Sequence, residues 1–85
     1  MHEFLIEDNL KKKLKKLFKK DRKLYDSVFS KMNEIINCSN LDHYKNLRKP
    51  MQHFKRVHIG SFVLIFKVKE KIVFYKLDHH DKIYL

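Results

Sequence analysis

The sequence has one glycine, one proline and one cysteine among its 85 residues. So little Gly and Pro, with no repeat, excludes a flexible linker, a collagen-like chain and a solenoid. It also excludes a Gly-rich phosphate loop. The lone Cys38 excludes an intramolecular disulfide and suits a reducing compartment. It leaves no Cys pair for a zinc centre. No apolar stretch approaches the roughly 18 residues of a membrane helix, and the first residues carry acids without a long apolar segment. A spanning helix and a signal peptide are therefore not expected. No paired carboxylates suggest glycoside chemistry. Acids are scarce: 10 Asp+Glu stand against 20 Lys+Arg, a formal charge of +10.

What remains is apolar enough to fold. Hydrophobic residues make up 44% of the chain and seven are Phe, too many for a disordered basic tail. The length allows one domain over residues 1–85 and no second core. A chain this short buries only about 60–65% of its unfolded surface, so the core is thin. The expectation is a soluble, cytoplasmic, strongly basic single domain. Its field attracts phosphate polymers or an acidic protein; the plain alternative is a solvated Lys-rich surface.

Hydrophobic periodicity divides the chain. Phe4-Leu5-Ile6 reads as a short N-terminal strand. Asp8 or Asn9 can cap a helix carrying Leu10, Leu14, Leu17 and Phe18 on one stripe, with Lys19-Lys20 suiting its C-terminus. Asp21 caps a second helix, with Leu24, Val28, Met32, Ile35 and Ile36 at helical spacing to about Cys38. With almost no linker, the two form a helical hairpin. Leu41 to Gln52 is polar and contains Pro50, so it reads as a loop. The period then shortens to two. Phe54, Arg56 and His58 share one strand face, and Lys55, Val57 and Ile59 the other. Gly60-Ser61 makes a tight connection. Phe62 to Val68 reads as a central strand buried on both faces, and Ile72 to Leu77 as its partner. The fold class is α+β: a short strand, a two-helix hairpin and an antiparallel meander. The helices pack on one sheet face, leaving Arg56, His58 and Lys76 to converge on the other.

Five of the six His fall after residue 41: His43, His53, His58, His79 and His80. His79 and His80 are adjacent, and on a strand they point to opposite faces, a poor chelate. No metal and no other cofactor is expected. A cluster of His, Arg, Lys and Tyr is what metal-free RNA cleavage needs. A base takes the 2′-OH proton, an acid protonates the 5′-oxygen leaving group, and cations stabilise the crowded phosphate. Each of these residues also has a plainer role as a solvated or sheet-edge side chain, so the types alone do not separate an enzyme from a binding module.

The stretch HFKRVHIGSFVLIFKVKEKIVFYKLDHHDKIY, residues 53–84, resembles the C-terminal half of the RelE superfamily of toxins. Four parts match in order. They are an aromatic-basic strand ending in His-Ile-Gly, the run FVLIFKV, the turn and strand EKIVFYKL, and a closing His-x-x-x-Tyr. The helical hairpin and the loop LDHYKNLRKPM also sit where that family has them. The resemblance implies a RelE-like microbial ribonuclease fold. It implies a toxin of a type II toxin–antitoxin pair that cuts messenger RNA on the ribosome, and an acidic, RelB-like antitoxin that wraps it. Arg56 and His58 fall on the strand positions of catalytic basic groups. Lys76 falls where the YafQ-like branch has Arg. His80 falls where that branch has His and RelE has Arg. Tyr84 matches the closing aromatic, and His43 a loop His. Where many members carry an Arg after the third-strand aromatic, this chain has Val63, which leaves Arg56 or Lys76 to supply the cation.

The expected site is therefore Arg56, His58, Lys76, His80 and Tyr84 for catalysis. Substrate contacts are expected from His43, Lys55 and Phe62, and from Lys11, Lys12, Lys15, Lys16 and Lys19 on ribosomal RNA. The partners are the antitoxin, the ribosome and mRNA, with no membrane. The alternatives are a ParE-like toxin acting on DNA gyrase, and a non-catalytic relic that only binds antitoxin or nucleic acid.

Overall fold

The computed structural model describes residues 2–47, 49 and 52–83. Strand β1 (Phe4–Ile6) leads into helix α1 (Asp8–Lys20) and helix α2 (Arg22–Ile36). A single 3-10 turn, Leu41–His43, follows. Then come β2 (Lys55–Ile59), β3 (Phe62–Val68), β4 (Ile72–His79) and the short helix α3 (His80–Ile83). The sheet order is β1-β4-β3-β2. The meander is antiparallel, as the alternation implied. The N-terminal strand joins it parallel to β4, pairing Phe4 with Ile72 and Ile6 with Phe74.

Both helices bury the stripes their spacing dictates. Leu10 and Leu14 of α1, and Val28, Met32, Ile35 and Ile36 of α2, pack on one sheet face. That face supplies Leu64, Phe66, Ile72, Phe74 and Leu77. Phe18 was expected in the stripe but is exposed. It stands two residues before α1 ends, where it lies under the Arg22 guanidinium at 3.9 Å and against the Tyr25 ring at 5.1 Å. Helix α1 starts one residue earlier than a cap at Asp8, and two earlier than a cap at Asn9, would place it, with Glu7 at the cap and no side-chain bond there. Asp21 caps α2 as expected, its Oδ1 accepting the Leu24 N–H at 3.1 Å. Removing that acceptor in Asp21→Ala is expected to cost about 1 kcal/mol. In a domain of this size that lowers Tm by roughly 4–8 °C in a thermal melt followed by circular dichroism.

The first part of the segment read as a loop, residues 41–47, is more ordered than its polarity suggests, while Pro50 lies outside the described residues. Leu41 and Tyr44 are buried, and the Tyr44 ring meets Phe66 at 5.6 Å. Asn46 bridges to Lys55, and the Arg56 N–H donates to the Lys45 carbonyl at 2.9 Å. This covers the first part of the outer edge of β2, at Lys55 and Arg56, which would otherwise expose unpaired backbone groups. Gly60 turns β2 into β3 at φ +61°, a conformation that costs side-chain-bearing residues about 1–2 kcal/mol. No helix among the described residues is long and apolar enough to cross a membrane.

Candidate active site

Strand alternation decides which side chains leave the sheet away from the helices. On β2, Val57 and Ile59 pack against the core, so Arg56 and His58 take the other side. On β3 the same side carries Val63, Ile65 and Lys67. Register then forms two rows. Arg56 pairs with Ile65, and Ile65 with Lys76. His58 pairs with Val63, and Val63 with Asp78. Arg56 and Lys76 are thus two strand spacings apart, about 10 Å between backbones.

Simple alternation from Ile72 and Phe74 would turn Lys76 toward the helices. A β-bulge prevents this. Phe66 faces Phe74 while Ile65 faces Lys76, so Tyr75 is the extra residue on β4. Tyr75 and Lys76 are both exposed, and Leu77 returns to the core. Between the basic groups lie Val63 and Ile65, 0% and 3% exposed yet outside the helix-side core. A water-excluded floor strengthens any charge interaction made above it.

Two aromatics on this face were not among the expected site residues. Phe54 meets the Tyr75 ring at 5.0 Å, and Lys67 Nζ lies 5.7 Å from its centroid. The alternation had placed Phe54 on the face of Arg56 and His58 without giving it a role. Tyr75 was hidden by the bulge.

His80 opens α3 at the end of β4. Its N–H donates to the Ser61 carbonyl at 3.0 Å, holding it beside the turn after β2, at the same end of the sheet as His58. Tyr84 lies outside the described residues. The expectation that His79 and His80 diverge is corrected. The chain passes from strand to helix between them, and their ring centroids stand 5.4 Å apart at 37°. Asp81 meets both, at 3.5 Å from His79 Nδ1 and 3.2 Å from His80 Nε2.

Asp78 adds a carboxylate to the row of His58. Burial raises its pKa, but the His79 N–H at 2.9 Å and the charges of Lys13 and Lys82 outweigh that and hold it below the usual range. Lys13 Nζ lies 3.5 Å away. In the loop, burial first and then the charges of Glu34 and Cys38 push the Tyr44 hydroxyl up.

Three expected substrate contacts lie elsewhere. Phe62 faces the helices, packed on the core and 5.6 Å from the His79 ring. Odd and even positions alternate along β3, so Phe62 goes with Leu64 and Phe66. Lys55 donates to the Tyr44 carbonyl at 3.3 Å and to Asn46 Oδ1 at 2.9 Å, fastening the loop. His43 stacks on Tyr44 at 4.1 Å and donates from Nδ1 to the Asn40 carbonyl at 2.7 Å. Cys38 Sγ is 3.9 Å from that same nitrogen. A nitrogen already donating to a carbonyl cannot accept the thiol proton, so this pair makes no activated nucleophile.

Lys11, Lys12, Lys15, Lys16 and Lys19 are exposed along α1. All but Lys12 rim a groove of about 500 Å³ floored by Ile6, Leu14, Phe18 and Phe29. That groove lies in the helix layer, on the opposite side of the sheet from Arg56, His58 and Lys76.

The ParE toxin family of the parDE type II toxin–antitoxin system matches residues 5–84. A protein of Methanocaldococcus jannaschii named "Putative toxin RelE4" is 49% identical, over 99% of this chain and 92% of its own length. An uncharacterized protein of Methanosarcina mazei is 42% identical over 99% of this chain and all of its own. No solved structure gives a significant match. With the family match spanning nearly every residue, and a named toxin this similar, the chain belongs to the ParE toxin family of type II toxin–antitoxin systems, within the RelE/ParE superfamily.

Proposed function

We propose that this toxin is a ribosome-dependent endoribonuclease that cuts messenger RNA without a metal in the reaction. The observation that carries this reading is the placement of Arg56 and Lys76 on either side of Ile65 in one row of a sheet face, with His58 in the next row and His80 at that end of the sheet. Cleavage proceeds by attack of a 2′-oxygen on the adjacent phosphorus. One imidazole of His58 and His80 takes the 2′-OH proton; the other gives a proton to the departing 5′-oxygen. The new 2′-O–P bond and the broken 5′-O–P bond leave a 2′,3′-cyclic phosphate and a 5′-OH. Arg56 and Lys76 stabilise charge on the non-bridging oxygens. Phe54 and Tyr75 offer aromatic surfaces for a base, the role that the family resemblance also gives Tyr84. The name of the Methanocaldococcus relative supports the RelE side of the superfamily.

Membership of a type II system implies an antitoxin partner. An acidic amphipathic segment suits the groove on α1 and α2, with its apolar side over Phe18 and Phe29 and its carboxylates among Lys11, Lys15, Lys16 and Lys19. The same lysines suit ribosomal RNA phosphates, so antitoxin and ribosome would compete for them.

The test is cleavage of ribosome-programmed mRNA by the purified chain. The wild type is expected to cut, and His80→Ala to cut at least about 100-fold more slowly. The ParE family match favours a second reading, a poison of DNA gyrase. Intact mRNA together with blocked gyrase supercoiling would establish that reading and remove this one.

A further inference from the structure

We propose that His79, His80 and Asp81 form a binding site for a divalent transition ion, best suited to Zn²⁺. One ligand atom from each side chain lies within 4.8 Å of the other two. The two histidine–carboxylate separations are 3.5 and 3.2 Å. A tetrahedral ion with ligands at about 2.0–2.1 Å spaces them about 3.3–3.4 Å apart. The two contacts use different oxygens of Asp81, Oδ2 toward His79 and Oδ1 toward His80, so one ion closes the set with a bidentate carboxylate or after a small rotation of that side chain.

The backbone prepares the cluster. His79 closes β4, its N–H donating to Asp78 Oδ1 at 2.9 Å and its ring 5.6 Å from Phe62. His80 is pinned by the Ser61 carbonyl at 3.0 Å. The Asp81 N–H reaches His79 Nδ1 at 3.4 Å, a long contact that an ion bound at that nitrogen displaces. The strand-to-helix corner brings two consecutive imidazoles to one side. All three side chains keep 39%, 50% and 72% of their surface exposed, so water can complete the coordination. Two imidazoles and one carboxylate favour Zn²⁺, Ni²⁺ or Co²⁺; Mg²⁺ and Ca²⁺ want oxygen alone.

One consequence rests on the proposed function. An ion on the His80 ring nitrogen removes it from proton transfer, so zinc opposes RNA cleavage.

Titrating zinc sulfate calorimetrically into the tag-free, full-length chain tests the site. One ion per chain is expected. His79→Ala and Asp81→Asn should each weaken it about tenfold or more. Cys38→Ser should leave it unchanged. Imidazole nitrogen signals in NMR should shift for His79 and His80, with the amide spectrum confirming that each variant is folded. Absence of binding, equal affinity in the His79→Ala/Asp81→Asn double variant, or loss of binding in Cys38→Ser would each overturn the site. In the cleavage assay, zinc should slow the wild type and not Asp81→Asn. Zinc that binds without slowing an active wild type would refute the competition alone. A wild type that cuts no RNA would refute the endoribonuclease reading, while calorimetry still decides the metal site.

Discussion

Phe66→Ala is expected to lower stability by about 3–5 kcal/mol and Tm by roughly 15–30 °C. Phe66 is fully buried on the central strand, facing the helices. Its ring lies 5.6 Å from Tyr44, edge to face, and 6.1 Å from Phe74. It therefore joins the loop after α2 to the sheet. Truncation removes both ring contacts and leaves a cavity that a close-packed interior fills only partly. At roughly 0.05–0.15 kcal/mol per residue, an 85-residue chain has little margin over such a loss. Thermal unfolding followed by circular dichroism measures it. Phe18→Ala is the comparison. That ring is exposed and gives up a stacked guanidinium and an edge-to-face contact with Tyr25, together worth about 1–2 kcal/mol. If the two variants melted together, the core would not be centred on Phe66.

How far the sequence could be read depended on whether local pattern or chain geometry set each feature. Leu10 and Leu14, and Val28, Met32 and Ile35, recur at helical period and are buried as that period demands. Arg56 and His58 follow from the alternation of β2. The pairing of β1 with β4 had no local signal, because parallel partnership joins residues about 68 positions apart, as in Phe4 with Ile72. Phe18 matched the stripe, yet the helix ends too soon to carry it over the sheet. Tyr44 was missed for the opposite reason. It stands among few apolar groups in a polar segment with no periodic pattern, and it is buried through a long-range ring contact.

The bulge on β4 shows both the reach and the limit of pattern. Apolar residues at Ile72, Phe74 and Leu77 are spaced by two and then three. The irregular step marks an inserted residue, and the insertion is what turns Lys76 to the face of Arg56. The corner at His79 and His80 carries no comparable sign. Nothing in two adjacent histidines announces that a strand stops between them. His80 entered the candidate site through family resemblance alone, and its approach to His79 and Asp81 emerged only with the backbone.

Arg56→Ala and Lys76→Ala are each expected to slow mRNA cleavage by about 100-fold, and the double variant by less than the product of the two. The geometry gives the reason. The two cations flank Ile65 in one row, across a floor closed to water. Above such a floor, charge on a phosphate in flight is poorly screened, and each cation counts for more than it would in solvent. In the proposed reaction both act on the same phosphate, so losing one leaves the other little to cooperate with. Lys76→Arg should retain most activity, since a guanidinium from that position offers a planar fork to the same oxygens. Neither alanine variant removes a core side chain, so melting temperatures should move little, and antitoxin binding at the helix-side groove should be preserved. Single-turnover cleavage on programmed ribosomes separates the chemistry from docking. Alanine variants that bind the ribosome normally and cut at the wild-type rate would leave this face without a catalytic role. They would return the family's gyrase-directed reading to first place.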